Sequence, residues 1–216
     1  MLMLRCPMSR TPRSRFYDGR FYARVVDPFV SGLHRILAEL IEPGSKVLDV
    51  GCGTGNLALR LAPTAVEVVG IELSPAMAEY ASRRLDGSTK NVSIIVGDVT
   101  EVLAEKPDRY FDVATMVLVL HEMPAAARES VLREVTRVAR RLLCLEYRVP
   151  MPKNLQGVRN RVIEVLTGVE HFRAFRDFTR RGGTNGVATA CGLACKNIRY
   201  PDMGTFDISE ITSKLQ

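Results

Sequence analysis

One stretch of the chain gathers residue types whose spacing suits chemistry. Val47-Leu48-Asp49-Val50-Gly51-Cys52-Gly53-Thr54-Gly55 runs an apolar segment into three glycines at alternate positions, and a helical pattern follows. Glycine there permits a tight turn and lets a ligand lie close to the backbone, at the start of a helix. Twenty-one residues beyond Gly51 stands Glu72, just past a second apolar run, where a carboxylate can accept both hydroxyls of a ribose. A second acid, Asp98, follows the next run in Gly97-Asp98-Val99 and can accept the exocyclic amino group of an adenine. Loop and acids together describe a nucleoside cofactor site. A dinucleotide fits poorly, because the sixth position of the glycine pattern is Asn56 rather than glycine. Asp49 adds a third negative group beside the loop, which favours a cationic ligand over a diphosphate.

Positioning such a site takes a parallel sheet. From residue 46 onward β-branched runs alternate with helical patterns, the sign of repeated strand–helix–strand units. Strands are expected at Lys46–Val50, Val66–Ile71, Val92–Val96, Asp112–Leu118 and Leu142–Tyr147, apolar enough to be buried on both faces. Helices are expected at Asn56–Leu61, at Pro75–Leu85 behind a Ser74 cap, near Glu101–Glu105 and at Ala125–Arg140. Upstream, Asp27-Pro28 caps a helix carrying Phe29, Leu33, Ile36, Leu37, Leu40 and Ile41. Beyond Pro150 the pattern becomes two helices over 154–181, broken near Gly168, followed by a short helix at Val187–Leu193. Lys196–Tyr200 and Thr205–Ile211 then form two strand-like runs joined by a Pro-Asp-Met-Gly turn. The expected fold is therefore α/β: a Rossmann-like doubly wound sheet, mostly parallel, with an antiparallel C-terminal strand pair. An N-terminal helix and a helical insertion cover it. The expected organisation is an arm and lid helices over 1–45, a cofactor-binding core over 46–149, a helical insertion over 150–183 and closing elements over 184–216.

Composition agrees with one compact domain. The 216 residues are 46% hydrophobic and 25% charged, which excludes collagenous, disordered and disulfide-scaffold classes. Five cysteines with no CxxC pair indicate neither a disulfide framework nor a zinc ribbon, so a reducing, cytoplasmic setting and no metal are expected. The longest apolar stretch, Val113 to Leu120, is far shorter than the ~18 residues of a membrane span. The net charge of +6 is uneven: residues 1–35 hold seven arginines against Asp18 and Asp27. That start reads as a solvated terminus, a transit peptide or a phosphate-contacting arm.

At this level of detail the chain resembles a known family. Asp49-Val50-Gly51-Cys52-Gly53-Thr54-Gly55, Gly70-Ile71-Glu72-Leu73-Ser74, Gly97-Asp98 and Phe111-Asp112 leading to Leu120-His121-Glu122-Met123-Pro124 are similar to the ordered motifs of class I S-adenosylmethionine-dependent methyltransferases. Within that family the likeness is to the branch holding the ubiquinone/menaquinone-biosynthesis and other small-molecule enzymes. It covers residues 46 to about 149. It implies S-adenosylmethionine as cofactor and S-adenosylhomocysteine as product. Gly51, Cys52, Gly53 and Gly55 would pass the methionine part, with Asp49 in direct or water-mediated contact. Glu72 would hold the ribose, Leu73 and Val99 would sandwich the adenine with Asp98 on its amino group, and the backbone near Val117 would face the methionine amino group. One departure stands out: Ala139-Arg140-Arg141 replaces the family's PGG turn before the fifth strand.

On the acceptor side, His121 at the exit of the fourth strand is the candidate general base. His171, in a stripe of aromatics, and Tyr17 or Tyr22, in an aromatic-rich N-terminal segment, are candidates for the acceptor pocket. A small-molecule acceptor is the leading expectation. The alternative is RNA or protein, docked on the basic arm and on Arg159, Arg161, Arg173, Arg176, Arg180 and Arg181. The motif of nucleic-acid amino methylation and a Pro-Cys dipeptide are both missing. A protein that only senses the cofactor is a third possibility, and oligomeric state is not legible.

Overall fold

The computed structural model describes residues 23–24, 27–85, 89–198 and 203–213. Five strands, β1 (Lys46–Val50), β2 (Glu67–Glu72), β3 (Val92–Val96), β4 (Phe111–Val117) and β5 (Ala139–Tyr147), pair in parallel. Two more, β6 (Ala194–Ile198) and β7 (Phe206–Thr212), close the sheet, β7 antiparallel to β5 and β6 antiparallel to β7. The spatial order is β3-β2-β1-β4-β5-β7-β6, so the winding direction reverses between β1 and β4. Ligands of open α/β sheets bind in the crevice at such a reversal, beyond the carboxyl ends of the strands.

Alternation along the central strands explains their continuous apolar character. Leu48, Val50, Ala114, Met116, Leu142 and Cys144 enter the core on one face, while Val47, Val113, Leu143 and Leu145 enter the core on the other. The first face is covered by α5 (Ala125–Val138) and α8 (Gly183–Ala190) through Leu132, Val135, Val187 and Ala188. The second is covered by α1 (Asp27–Glu39) and α2 (Asn56–Leu61) through Leu33, Leu37, Leu57 and Leu61. Each such buried side chain contributes roughly 1.5–3 kcal/mol of apolar transfer. The remaining helices are α3 (Pro75–Ser82), α4 (Val99–Leu103), α6 (Leu155–Thr167) and α7 (Val169–Arg180). The last two form the helical insertion.

Several boundaries differ from expectation for identifiable reasons. Helix α4 starts at Val99, earlier than Glu101, because Asp98 caps it by accepting the Thr100 N–H at 2.8 Å. Helix α5 passes into β5 at Ala139 with no intervening turn, and Arg141 is held in the strand by Leu40 O at 3.0 Å and by Glu210. The tripeptide in place of PGG is thus strand. Phe29 is 76% exposed, leaving Val30, Leu33 and Leu37 as the buried stripe of α1. Asp27 is buried in the first turn of α1 and accepts the Thr54 hydroxyl at 2.7 Å, tying the helix to the glycine loop.

Candidate functional site

The glycine loop leaves β1 with Gly51, Gly53 and Gly55 all at positive φ, between 56° and 75°, where other residues are strained. The first glycine is also enforced by packing: a Cβ on Gly51 would come within 2.7 Å of Val119 Cγ2. The loop is clasped to β2, since the Gly51 and Cys52 amides donate to Ile71 O. Glu72 completes the clasp, its carboxylate accepting the Gly53 N–H at 3.0 Å and the Ser74 N–H at 2.8 Å. Burial raises the Glu72 carboxyl pKa against those hydrogen bonds, and the charge of Glu122 raises it further.

Asp49 is the unbalanced group of this loop. It is 3% exposed, Oδ1 accepts the Thr115 hydroxyl at 2.8 Å, and Oδ2 has no protein partner. Burial, opposed by Thr115 and reinforced by Glu72, raises its pKa to about 7. A depression lined by Asp49, Gly51, Gly53, Val117 and Leu118 opens beside it, bounded on the helix side by Asp27 and His34. Leu118 adopts φ +58°, a strained conformation for a side chain of that shape, at the lip of the depression. His34 is buried there, and burial followed by the charge of Arg60 lowers its pKa to about 4. Asn56 is tied by Arg84, which bridges its side chain and Thr54 O, both at 2.9 Å.

At the carboxyl ends of β2 and β3, Leu73 is 47% exposed and Val96 is also exposed, giving an apolar surface between Glu72 and Asp98. Val99 instead packs partly against the core. Asp98 uses Oδ1 for both the amide and the hydroxyl of Thr100. Cys52 is buried and its thiol is pushed up by burial, then by Asp49 and Glu72, so it is packing material rather than a nucleophile.

His121 occupies a 3₁₀ turn (Leu120–Glu122) directly after β4. This is the residue that the sequence offers as candidate general base. The ring is 3% exposed, Nδ1 lies 2.7 Å from Glu146 Oε2, and Nε2 lies 3.7 Å from Glu164 Oε2. Burial alone would lower its pKa, but Glu146, Glu164 and Glu122 outweigh burial and hold it at about 9. His171 joins the same group, with Nε2 2.5 Å from Glu164 Oε2, and the Tyr147 hydroxyl donates to Glu164 Oε1 at 2.8 Å. Glu146 further accepts the Leu120 N–H at 2.6 Å, so it fixes both the turn and the imidazole.

The turn is held from the other side by Arg128 of α5, which is wholly buried. Its guanidinium donates to Leu120 O, Met123 O and Ala174 O and pairs with Asp177 at 2.9 Å. Glu146, Glu164 and Arg128 were not legible as site residues. Only Glu146 had a signal, an acid ending the apolar run Leu142–Leu145. Tyr17 and Tyr22 lie outside the described residues. Four of the six arginines proposed as a docking face are engaged locally: Arg161 with Met151 O, Arg173 with Glu170, Arg176 over the Phe172 ring, and Arg181 with Asp177 and Glu129.

Comparison with known proteins fits this arrangement. Residues 47–141 match the protein-family model described as "Methyltransferase domain". The ubiquinone/menaquinone biosynthesis C-methyltransferase UbiE of Ectopseudomonas mendocina (strain ymp) is 33% identical over 147 residues, 60% of this chain and 54% of that protein. A dimethyladenosine transferase of Yarrowia lipolytica (strain CLIB 122 / E 150) is 36% identical over 115 residues, 48% of this chain and 35% of the other. A solved SAM-dependent methyltransferase from Aquifex aeolicus shares the fold with a TM-score of 0.62 at 19% identity, covering 90% of this chain and 97% of that one. The chain spans about half or less of the length of the curated relatives it matches. Family match, glycine loop and sheet order coincide, so residues 47–141 carry a methyltransferase domain on a Rossmann-like sheet. The methyl donor of that family is S-adenosylmethionine. Among the described residues no helix is long and apolar enough to cross a membrane.

Proposed function

We propose that the chain transfers a methyl group from S-adenosylmethionine to a small-molecule acceptor. The observation that carries this is Asp49, a buried carboxylate with one oxygen unsatisfied, at the mouth of a glycine loop and at the reversal point of the sheet. Such an oxygen calls for a cationic or hydrogen-bond-donating ligand, which an amino acid bearing a sulfonium supplies. In this reading Gly51 and Gly53 give the methionine part room against the backbone, with Cys52 and Gly55 shaping the loop. The strained Val117-Leu118 segment faces the methionine amino group. Glu72 shares its oxygens between the loop amides and the ribose hydroxyls. Leu73 and Val96 offer the adenine its apolar walls, Val99 supports them from the core side, and Asp98 accepts from the amino group.

The bound cofactor supplies an activated methyl group with a good leaving group. What remains for the chain is orientation and exclusion of water. His121 is assigned to positioning: with both ring nitrogens turned to carboxylates and almost no exposure, it fixes the turn beside the crevice rather than abstracting a proton. His171 and Tyr147, which share Glu164 under the helical insertion, form a polar wall on the acceptor side. The local engagement of Arg161, Arg173, Arg176 and Arg181 supports a small acceptor over RNA or protein.

The test is incubation of the protein with methyl-labelled S-adenosylmethionine and cell extract, with label counted in organic-soluble, RNase-sensitive and protease-sensitive fractions. Label in the organic or small-metabolite fraction is expected. Label released by RNase or protease would overturn the acceptor class, and absence of transfer despite cofactor binding would make the chain a cofactor sensor.

A further inference from the structure

Two of the three histidines in the chain, fifty residues apart in sequence, meet between the end of β4 and α7. In each ring one nitrogen is committed to a buried carboxylate: His121 Nδ1 to Glu146 at 2.7 Å and His171 Nε2 to Glu164 at 2.5 Å. Those carboxylates are themselves fixed, Glu146 by the Leu120 and Tyr147 amides and Glu164 by the Tyr147 hydroxyl. A carboxylate on one imidazole nitrogen is the outer-shell device that sets ring orientation and leaves the other nitrogen for a metal ion. The nitrogens not committed in this way are His171 Nδ1 and His121 Nε2, the latter 3.7 Å from Glu164 Oε2, a contact that an ion would share or replace.

A third donor stands next to them. One ligand atom from each of His121, Glu122 and His171 lies within 4.8 Å of the other two. Zinc bonds of about 2.0–2.2 Å hold tetrahedral ligands roughly 3.3 Å apart, so the group has to contract by about 1.5 Å at most. Glu122 is exposed, on the open side of the group. Three carboxylates, Glu122, Glu146 and Glu164, converge on two imidazoles, and a dication would offset that excess of negative charge. Imidazole nitrogens with one carboxylate suit zinc and its first-row neighbours, whereas calcium and magnesium prefer oxygen alone. The sequence hid this group because no short metal-ligand spacing links residues 121 and 171; the insertion folding back over the turn brings them together.

We propose that His121, Glu122 and His171 bind one divalent first-row transition-metal ion, zinc in the first instance, on the insertion side of the crevice. The experiment uses the full chain, stripped with a chelator and titrated with zinc chloride by calorimetry. Bound metal is then measured by elemental analysis after gel filtration. About one zinc per chain is expected, with affinity weakened at least about tenfold in His171→Ala and in Glu122→Gln, and with no competition from calcium or magnesium. Circular dichroism of both variants checks that they are folded. Failure of the folded wild type to retain zinc would overturn the proposal. So would undiminished binding in folded His171→Ala, which would place the metal away from this group. Because the readout is bound metal and not methylation, either failure leaves the methyltransferase reading standing.

Discussion

Asp49 and Glu72 carry opposite relations to the glycine loop. Glu72 is satisfied by two amides, whereas Asp49 is left with one oxygen unpaired in a buried place, which is why its carboxyl titrates near 7. The pKa of this acid is raised above the unfolded value of about 3.9. Its burial therefore costs nothing below pH ~4, costs progressively more as pH rises to about 7, and costs a constant amount above that. Asp49→Asn should then raise the melting temperature of the ligand-free protein at pH 8 and change it little at pH 4.5. It should also weaken S-adenosylmethionine by roughly 1–3 kcal/mol at pH 8, since a charge-assisted contact is lost. Calorimetry of the wild type should show affinity rising with pH through about 7. A melting temperature that falls equally at both pH values would assign Asp49 to structure alone. Glu72→Ala loses the clasp on Gly53 together with the ribose contact proposed for it, and a loss of about 1–3 kcal/mol in cofactor affinity is expected by the same method. Unchanged affinity would remove Glu72 from the ribose.

At the scale of elements, the strands were legible because burial on both faces writes a continuous apolar run, and the glycine loop because positive φ and close packing demand glycine. What escaped were contacts between elements distant in sequence. Arg128 reads as one of several arginines on an amphipathic helix, yet it is the pin that joins α5, the His121 turn and α7. Nothing local distinguishes it from Arg133 or Arg137 of the same helix. Glu164 similarly reads as a solvent-facing acid, and only the fold turns it toward Tyr147 and His171. Arg128→Met keeps much of the side-chain volume but strands three carbonyl oxygens in a dry place. A loss of about 3–5 kcal/mol is expected in urea unfolding. If the pin has the role drawn here, amide hydrogen exchange should quicken first in residues 120–123 and 169–180, leaving β1 to β3 protected. Uniform loosening would mean that Arg128 serves the core in general.

The whole molecule divides its sheet between two duties. The half formed by β3, β2 and β1 presents the loop, Glu72 and Asp98. The half formed by β4, β5 and β7 carries the His121 turn, Glu146 and the helical insertion. The reversal between β1 and β4 makes the two halves meet at Asp49 and Thr115, whose hydrogen bond crosses the seam. A ligand bridging that seam binds the folded state alone, so it must stabilise the chain by mass action: about 2.7 kcal/mol at a hundredfold excess over its Kd. For a domain of this size that corresponds to a rise in melting temperature of roughly 5–10 °C. S-adenosylhomocysteine, which lacks the sulfonium charge but keeps the ribose and amino groups, should give the same shift once its concentration is matched to its own Kd. Its shift should depend less on pH than that of S-adenosylmethionine if Asp49 senses the sulfonium, and equally if Asp49 senses only the amino group. Thermal scans with both ligands at pH 6 and pH 8 therefore report which cation the buried carboxylate faces, and no pH dependence with either ligand would separate Asp49 from the cofactor.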